Sequence, residues 1–122
     1  MKSEQTDGVL TVRAALSVIG GKWTVRILWH LKEEPKRYGE LRQRIPEVSE
    51  KMLIQKLREL EENEIVTRKV LSEKPIKIEY HFTDYGKTLV PVFQALCDWG
   101  EKHLERTNSK HDSSAIQESK RS

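Results

Sequence analysis

The sequence predicts a mainly α-helical domain carrying one small β-hairpin, on three observations. Apolar residues recur at helical spacing from Val9 to Leu60. After Asn63 the pattern changes to runs rich in β-branched and aromatic residues, "IVTRKVLS" and "KIEYHFT", separated by the turn "EKPI". Helical spacing then returns from Asp84 onward.

Each element has a local reason. Residues 9–19, "VLTVRAALSVI", are apolar at nearly every turn and read as a helix or a buried segment ended by Gly20-Gly21. The next run, "KWTVRILWHLK" (22–32), sets apolar side chains almost all round a helix, which predicts a largely buried one closed by Pro35. A short helix from about Tyr38 to Arg44 follows, with Leu41 and Ile45 inward, and Pro46 stops it. Ser49 is a good N-cap for the next helix, about 49–63. Its Leu53, Leu57 and Leu60 form a core-facing stripe, and Lys51, Gln55, Arg58 and Glu62 lie opposite. The hairpin that follows has a basic tip. Two short helices joined by a tight turn and followed by a hairpin describe a winged helix-turn-helix.

Thr83 can cap a last helix running from Asp84 to about Arg106, with a kink or a loosened first turn expected at Pro91. Leu89, Val92, Phe93, Leu96, Trp99, His103 and Leu104 share one side of it. That apolar arc is broad for a terminal helix packing on one small domain. The expected organisation is a flexible N-terminus at 1–8, a domain at 9–106 and a disordered polar tail at 107–122.

A chain of 122 residues is most simply one domain with a single core. With 36% hydrophobic and 34% charged residues it reads as a soluble, polar protein. No apolar run approaches a membrane span, and "MKSEQTDG" has no apolar signal region, so a cytoplasmic location is expected. The single cysteine, Cys97, excludes an intramolecular disulfide.

The net charge of +3 is modest, but its distribution is uneven. Residues 36–58 hold seven Lys or Arg against three Glu, and residues 59–64 hold four Glu and no cation. Residues 67–78 add Arg68, Lys69, Lys74 and Lys77 against Glu73. Two basic segments in the middle of the chain point to a polyanion surface.

The segments "LSVIGGKWTVRILWHL", "PKRYGELRQRIPEVSEKMLIQKLRELEENEIVTR" and "IEYHFTDYGKTLVPVFQALCDWGEKH" resemble the HxlR family of bacterial, MarR-like transcriptional regulators. The similarity covers about residues 9–104 and rests on the IGGKW box, the PKRY-x-EL-x-x-x-IP turn and S-x-KML-x-x-L-x-EL-E in combination. The resemblance implies a homodimer that binds double-stranded operator DNA, more in keeping with repression than activation, and pairs through its terminal helices. Leu10, Leu16, Val92, Phe93, Leu96, Trp99 and His103 are the residues expected at that interface. Several family members sense electrophiles or oxidants through a cysteine nine residues ahead of the isoleucine of the IGGKW box. That position is Leu10 here, so their thiol switch does not carry over. Cys97, beside Leu96 and Trp99, reads as a packed thiol.

The helix at 49–63 carries its cations first and its acids last, the order its own dipole disfavours. A phosphate backbone at the N-terminal end reverses that judgement, because free N–H groups and cations both favour an anion there. Lys51, Gln55, Lys56 and Arg58 are therefore expected at the DNA, with Lys51, Gln55 and Arg58 on base edges or the nearby backbone. Ser49 caps and can touch phosphate, Lys36 and Arg37 are expected to grip phosphate, and Lys74 and Lys77 to reach a flanking minor groove.

Other classes fit less well. The four histidines, His30, His81, His103 and His111, fall on separate elements and form no acid–base constellation with a nucleophile. Cys97, Glu101 and His103 are close in sequence but do not converge on a helical wheel, so no metal site and no cofactor are expected. A planar effector would need a pocket at Trp29 or Trp99, yet aromatic residues at helical spacing are usually core, and the effector stays unassigned. A winged helix that binds protein instead of DNA would present a non-basic recognition face, and this face is basic.

Overall fold

A computed structural model describes residues 7–110 in two units, one ending at Lys87 and the other beginning at Thr88. In the first unit, the Asp7 carboxylate accepts from the Val9 N–H at 2.8 Å and caps helix α1 (Gly8–Ile19). Asp7 and Gly8 are thus the cap and first turn of a helix, not part of a flexible end. The Gly20 N–H closes α1 on the Leu16 carbonyl, and a Cβ at Gly20 would meet that same oxygen. Gly21 follows with φ of +90°, a conformation that favours glycine. Of α1 only Ile19 is buried; Val9, Leu10, Val12 and Leu16 are exposed.

Helix α2 (Lys22–Glu33) buries Thr24, Ile27, Leu28 and Leu31. Burial all round, as its composition suggested, does not occur, because Val25 and Trp29 remain exposed. Cations settle the surface indoles: Lys22 and Arg26 lie 4.7 and 5.8 Å from the Trp23 ring, and Lys32 lies 4.6 Å from Trp29.

Strand β1 (Lys36–Arg37) comes next, pairing with a later strand, and leads directly into helix α3 (Tyr38–Arg44). Leu41 and the C-cap Ile45 are fully buried. Helix α4 (Glu50–Glu62) is capped by Ser49, whose Oγ accepts from the Met52 N–H at 3.1 Å, and it buries Leu53, Leu57 and Leu60. Its end is a Schellman motif: Glu64 has φ of +62°, its N–H donates to the Glu61 carbonyl, and the Ile65 N–H donates to the Leu60 carbonyl.

Strands β2 (Val66–Glu73) and β3 (Ile76–Phe82) form the hairpin, and β1 adds to the far side of β3, giving the order β1-β3-β2. Lys36 pairs with Tyr80 and Arg37 with Glu79. The register between β2 and β3 shifts between Val70 and Ser72. A two-residue strand leaves no alternation to read, so β1 was not foreseen.

The Thr83 hydroxyl does act as a cap, accepting from the Gly86 N–H at 2.8 Å while bonding to the Glu64 carbonyl. The helix it caps is the single turn α5 (Asp84–Lys87), with Gly86 packed so closely on the Ile65 carbonyl that no side chain fits. The last helix is therefore two pieces.

The second unit holds α6 (Leu89–Lys110). Pro91 is the third residue of α6, where its missing N–H would have had no intrahelical partner. The break thus falls at Thr88, and Pro91 is tolerated inside the first turn. Residues 107–110, expected in the tail, continue the helix. The remainder of the expected tail, 111–122, and residues 1–6 lie outside the described residues.

Candidate nucleic-acid interface

The interface is built on α4, and its direction is set by what grips the turn before it. The Arg42 guanidinium of α3 donates to the Val48 carbonyl at 2.7 Å, and Arg26 of α2 pairs with Glu47 at 3.0 Å. Val48 and Ile45 fill the core beneath. The Glu47 carboxyl is held below its usual range first by its own backbone N–H and then by Arg26. At the other end, Arg68 of β2 pairs with Glu61 at 3.3 Å, tying the hairpin to the close of α4. Arg26, Arg42 and Arg68 are positioning residues that sequence reasoning counted only as charge.

The face of α4 opposite its leucines carries Lys51, Gln55 and Arg58, all exposed, as the periodicity predicted. Lys51 and Arg58 form no ion pair among the described residues. Gln55 Nε2 donates to Glu59 at 3.2 Å, so its amide is pre-oriented along the helix. Lys56 is different. It lies about 140° round the helix from Lys51, is half-buried, and pairs with Glu59 at 3.4 Å. The structure removes it from the face shared by the other three.

Lys36 is corrected outright. It is 1% exposed, and its ammonium donates to the carbonyls of His30 and Glu34 at 3.1 and 3.2 Å, with the Glu33 and Glu34 carboxylates at 3.9 and 3.7 Å. A cation at the close of α2 complements the helix dipole, and a buried one cannot hold phosphate. The reason is β1: pairing with β3 turns alternate side chains to opposite faces, so Lys36 goes in and Arg37 goes out. Arg37 stays exposed at the N-cap of α3, where its backbone N–H donates to Glu40 at 2.7 Å.

Lys74 and Lys77 are exposed at the tip of the hairpin. A hollow of about 510 Å³ separates that tip from α3, lined by Arg37, Tyr38 and Gln43 on one side and Ile76, Lys77 and Ile78 on the other. Burial, with the charge of Glu50 next, pushes the Tyr38 hydroxyl above its ordinary range. A second, shallow hollow of about 530 Å³ lies on α4 itself, between Glu50, Lys51, Ile54, Gln55 and Arg58. Ile54 was overlooked, because the leucine stripe drew the apolar reading of the helix.

The terminal residues expected to pair copies of the chain are exposed on their own helices. Leu96 is 52% and Trp99 66% exposed on α6, Phe93 is half-buried, and His103 stacks on Trp99 with ring centroids 5.1 Å apart. Cys97 is half-buried. Among the described residues no group of three His, Cys, Asp or Glu is placed to hold a metal ion. No helix among them is long and apolar enough to cross a membrane.

A capped, solvent-facing polar helix behind a tight turn, with a basic hairpin beside it, defines a winged helix-turn-helix regulator. The family model for HxlR-like helix-turn-helix proteins matches residues 18–108, and the chain belongs to that family. It is 43% identical over 97 residues to the uncharacterized HTH-type transcriptional regulator YtcD of Bacillus subtilis (strain 168), covering 80% of this chain and 77% of the relative. The crystal structure of ytcD superposes with a TM-score of 0.72 at 42% identity, over 77% of this chain and 96% of that one. The redox regulator HypR in its reduced form superposes with a TM-score of 0.75 at 38% identity, over 81% of this chain and 98% of the other. These relatives are transcriptional regulators, and this chain is a helix-turn-helix transcriptional regulator of the same family.

Proposed function

We propose that the protein binds a double-stranded, inverted-repeat operator as a homodimer and represses transcription by occupying it. The solvent face of α4 enters the major groove, where Lys51 and Arg58 meet guanine or phosphate and Gln55 meets adenine. Ser49 and Arg37 contact the backbone, and Lys74 and Lys77 engage flanking phosphates. Exposed apolar side chains on α1 and α6 supply the contact between copies.

The observation that carries this reading is the division of α4 into two faces. One buries Leu53, Leu57 and Leu60; the other holds two unpaired cations and an oriented amide in the open. Glu59 is matched within the helix by Lys56, and Glu61 by Arg68 of β2, which ties the acidic end to the hairpin.

Fluorescence anisotropy tests it, with DNA from upstream of the coding region, a scrambled duplex and several salt concentrations. Preference for the native duplex by roughly 1,000-fold or more is expected, with half-sites about one helical turn (~10 bp) or a multiple apart. Absence of binding to any duplex at low salt would sink the reading in favour of a protein partner.

A further inference from the structure

Ile54 is the one apolar side chain in a polar neighbourhood on the open side of α4. At ~100° per residue it lies about 60° from Lys51 and 40° from Arg58, and it shares their shallow hollow. It is 40% exposed, whereas Leu53 beside it and Leu57 three residues on are buried. The helix itself gains little from it, since a β-branched residue is a weaker helix former than leucine, lysine or glutamine at an open position.

Resting on the reading above, we infer that Ile54 is a specificity-determining residue that packs on the C5-methyl group of a thymine in the major groove. Thymine is the base that offers a methyl there, and hydrogen-bonding side chains such as Lys51, Gln55 and Arg58 cannot sense it. An apolar group flanked by Lys51 and Arg58, with the Glu50 carboxylate on its other side, is matched by that surface: phosphates meet the two cations and the methyl meets the isoleucine. A protein partner would have to satisfy the same unpaired cations around one small apolar contact.

The experiment uses the full chain and the tightest duplex selected from a random-sequence pool. Each thymine is replaced in turn by deoxyuridine, which keeps both hydrogen-bonding edges and removes only the methyl. One thymine in each half-site is expected to weaken binding roughly fourfold when its methyl is removed, the weight of one methyl group returned to water. Ile54→Ala should bind the thymine and deoxyuridine duplexes alike, while Ile54→Val should keep most of the discrimination. Unchanged circular dichroism and a cooperative thermal melt show that the variants are folded. Indifference of the wild-type chain to every deoxyuridine overturns the inference and leaves the regulator reading standing. So does discrimination that survives in Ile54→Ala. A pool that yields no preferred duplex removes the regulator reading, and this inference with it.

Discussion

Helices α4 and α6 are written with similar apolar spacing and meet opposite fates. The stripe Leu53, Leu57 and Leu60 is at most 2% exposed, sealed within its own unit. On α6, Leu96, Trp99 and Leu104 are all more than half exposed. Periodicity reports that a face is apolar; it does not report what covers it. In α4 the cover is supplied by the chain's own α2 and β2, and in α6 the open face is the one proposed to meet a second copy. The same division runs through the lysines: Lys36 is sealed and Lys74 open, though both stand beside a proline in a basic segment.

Five substitutions would break or sharpen this contrast. Leu57→Ala should have the largest effect, lowering stability in urea denaturation by about 2–5 kcal/mol through lost burial and the cavity left behind. A loss within ~0.5 kcal/mol would mean that the sealed face is not the core. Leu96→Asp should leave the helical circular dichroism in place and weaken self-association by on the order of a hundredfold, about 2.7 kcal/mol. Sedimentation equilibrium reads this directly, and an unchanged mass would show that α6 is not the contact between copies.

Among the cations, Lys36→Ala should destabilise by about 1–3 kcal/mol, because the His30 and Glu34 carbonyls lose a buried donor. It should not alter the salt dependence of DNA binding. Lys74→Ala should do the reverse, leaving stability within about 0.5 kcal/mol and lowering the slope of log affinity against log salt by about one. Exchange of these two phenotypes would invert the assignment of sealed and open lysines. The smallest effect is expected at Glu64→Gly, a gain of roughly 0.5–1 kcal/mol, as the left-handed conformation there disfavours a side chain. Thermal melting would register it, and a loss would mean that the Glu64 side chain has a role at the close of α4.

Much of the candidate site was legible before any coordinates. Lys51, Gln55 and Arg58 emerge on one exposed face because helical periodicity is local, and Ser49 caps because its hydroxyl needs only the N–H three residues on. Ile54 was legible in principle, being an isoleucine off the leucine stripe, but its exposure depends on how the helix is rolled against the core. The burial of Lys36 and the pairing of Lys56 with Glu59 were hidden for the same kind of reason. Their charge is visible in sequence, and their surroundings are not.

The sequence by itself determined the pieces: the helices over 9–64, the hairpin with its basic tip, the glycine break at 20–21 and the stripe that becomes the core. These follow from propensity, capping and periodicity, which act over a few residues. Only the tertiary structure decided that Lys36 is buried by β1 pairing with β3, that Thr83 caps a single turn instead of the last helix, and that Arg42 and Arg26 hold the turn ahead of α4. Each of those joins residues whose meeting depends on the path of the whole chain, and neighbours along the sequence carry no record of which distant strand, carbonyl or carboxylate will arrive beside them.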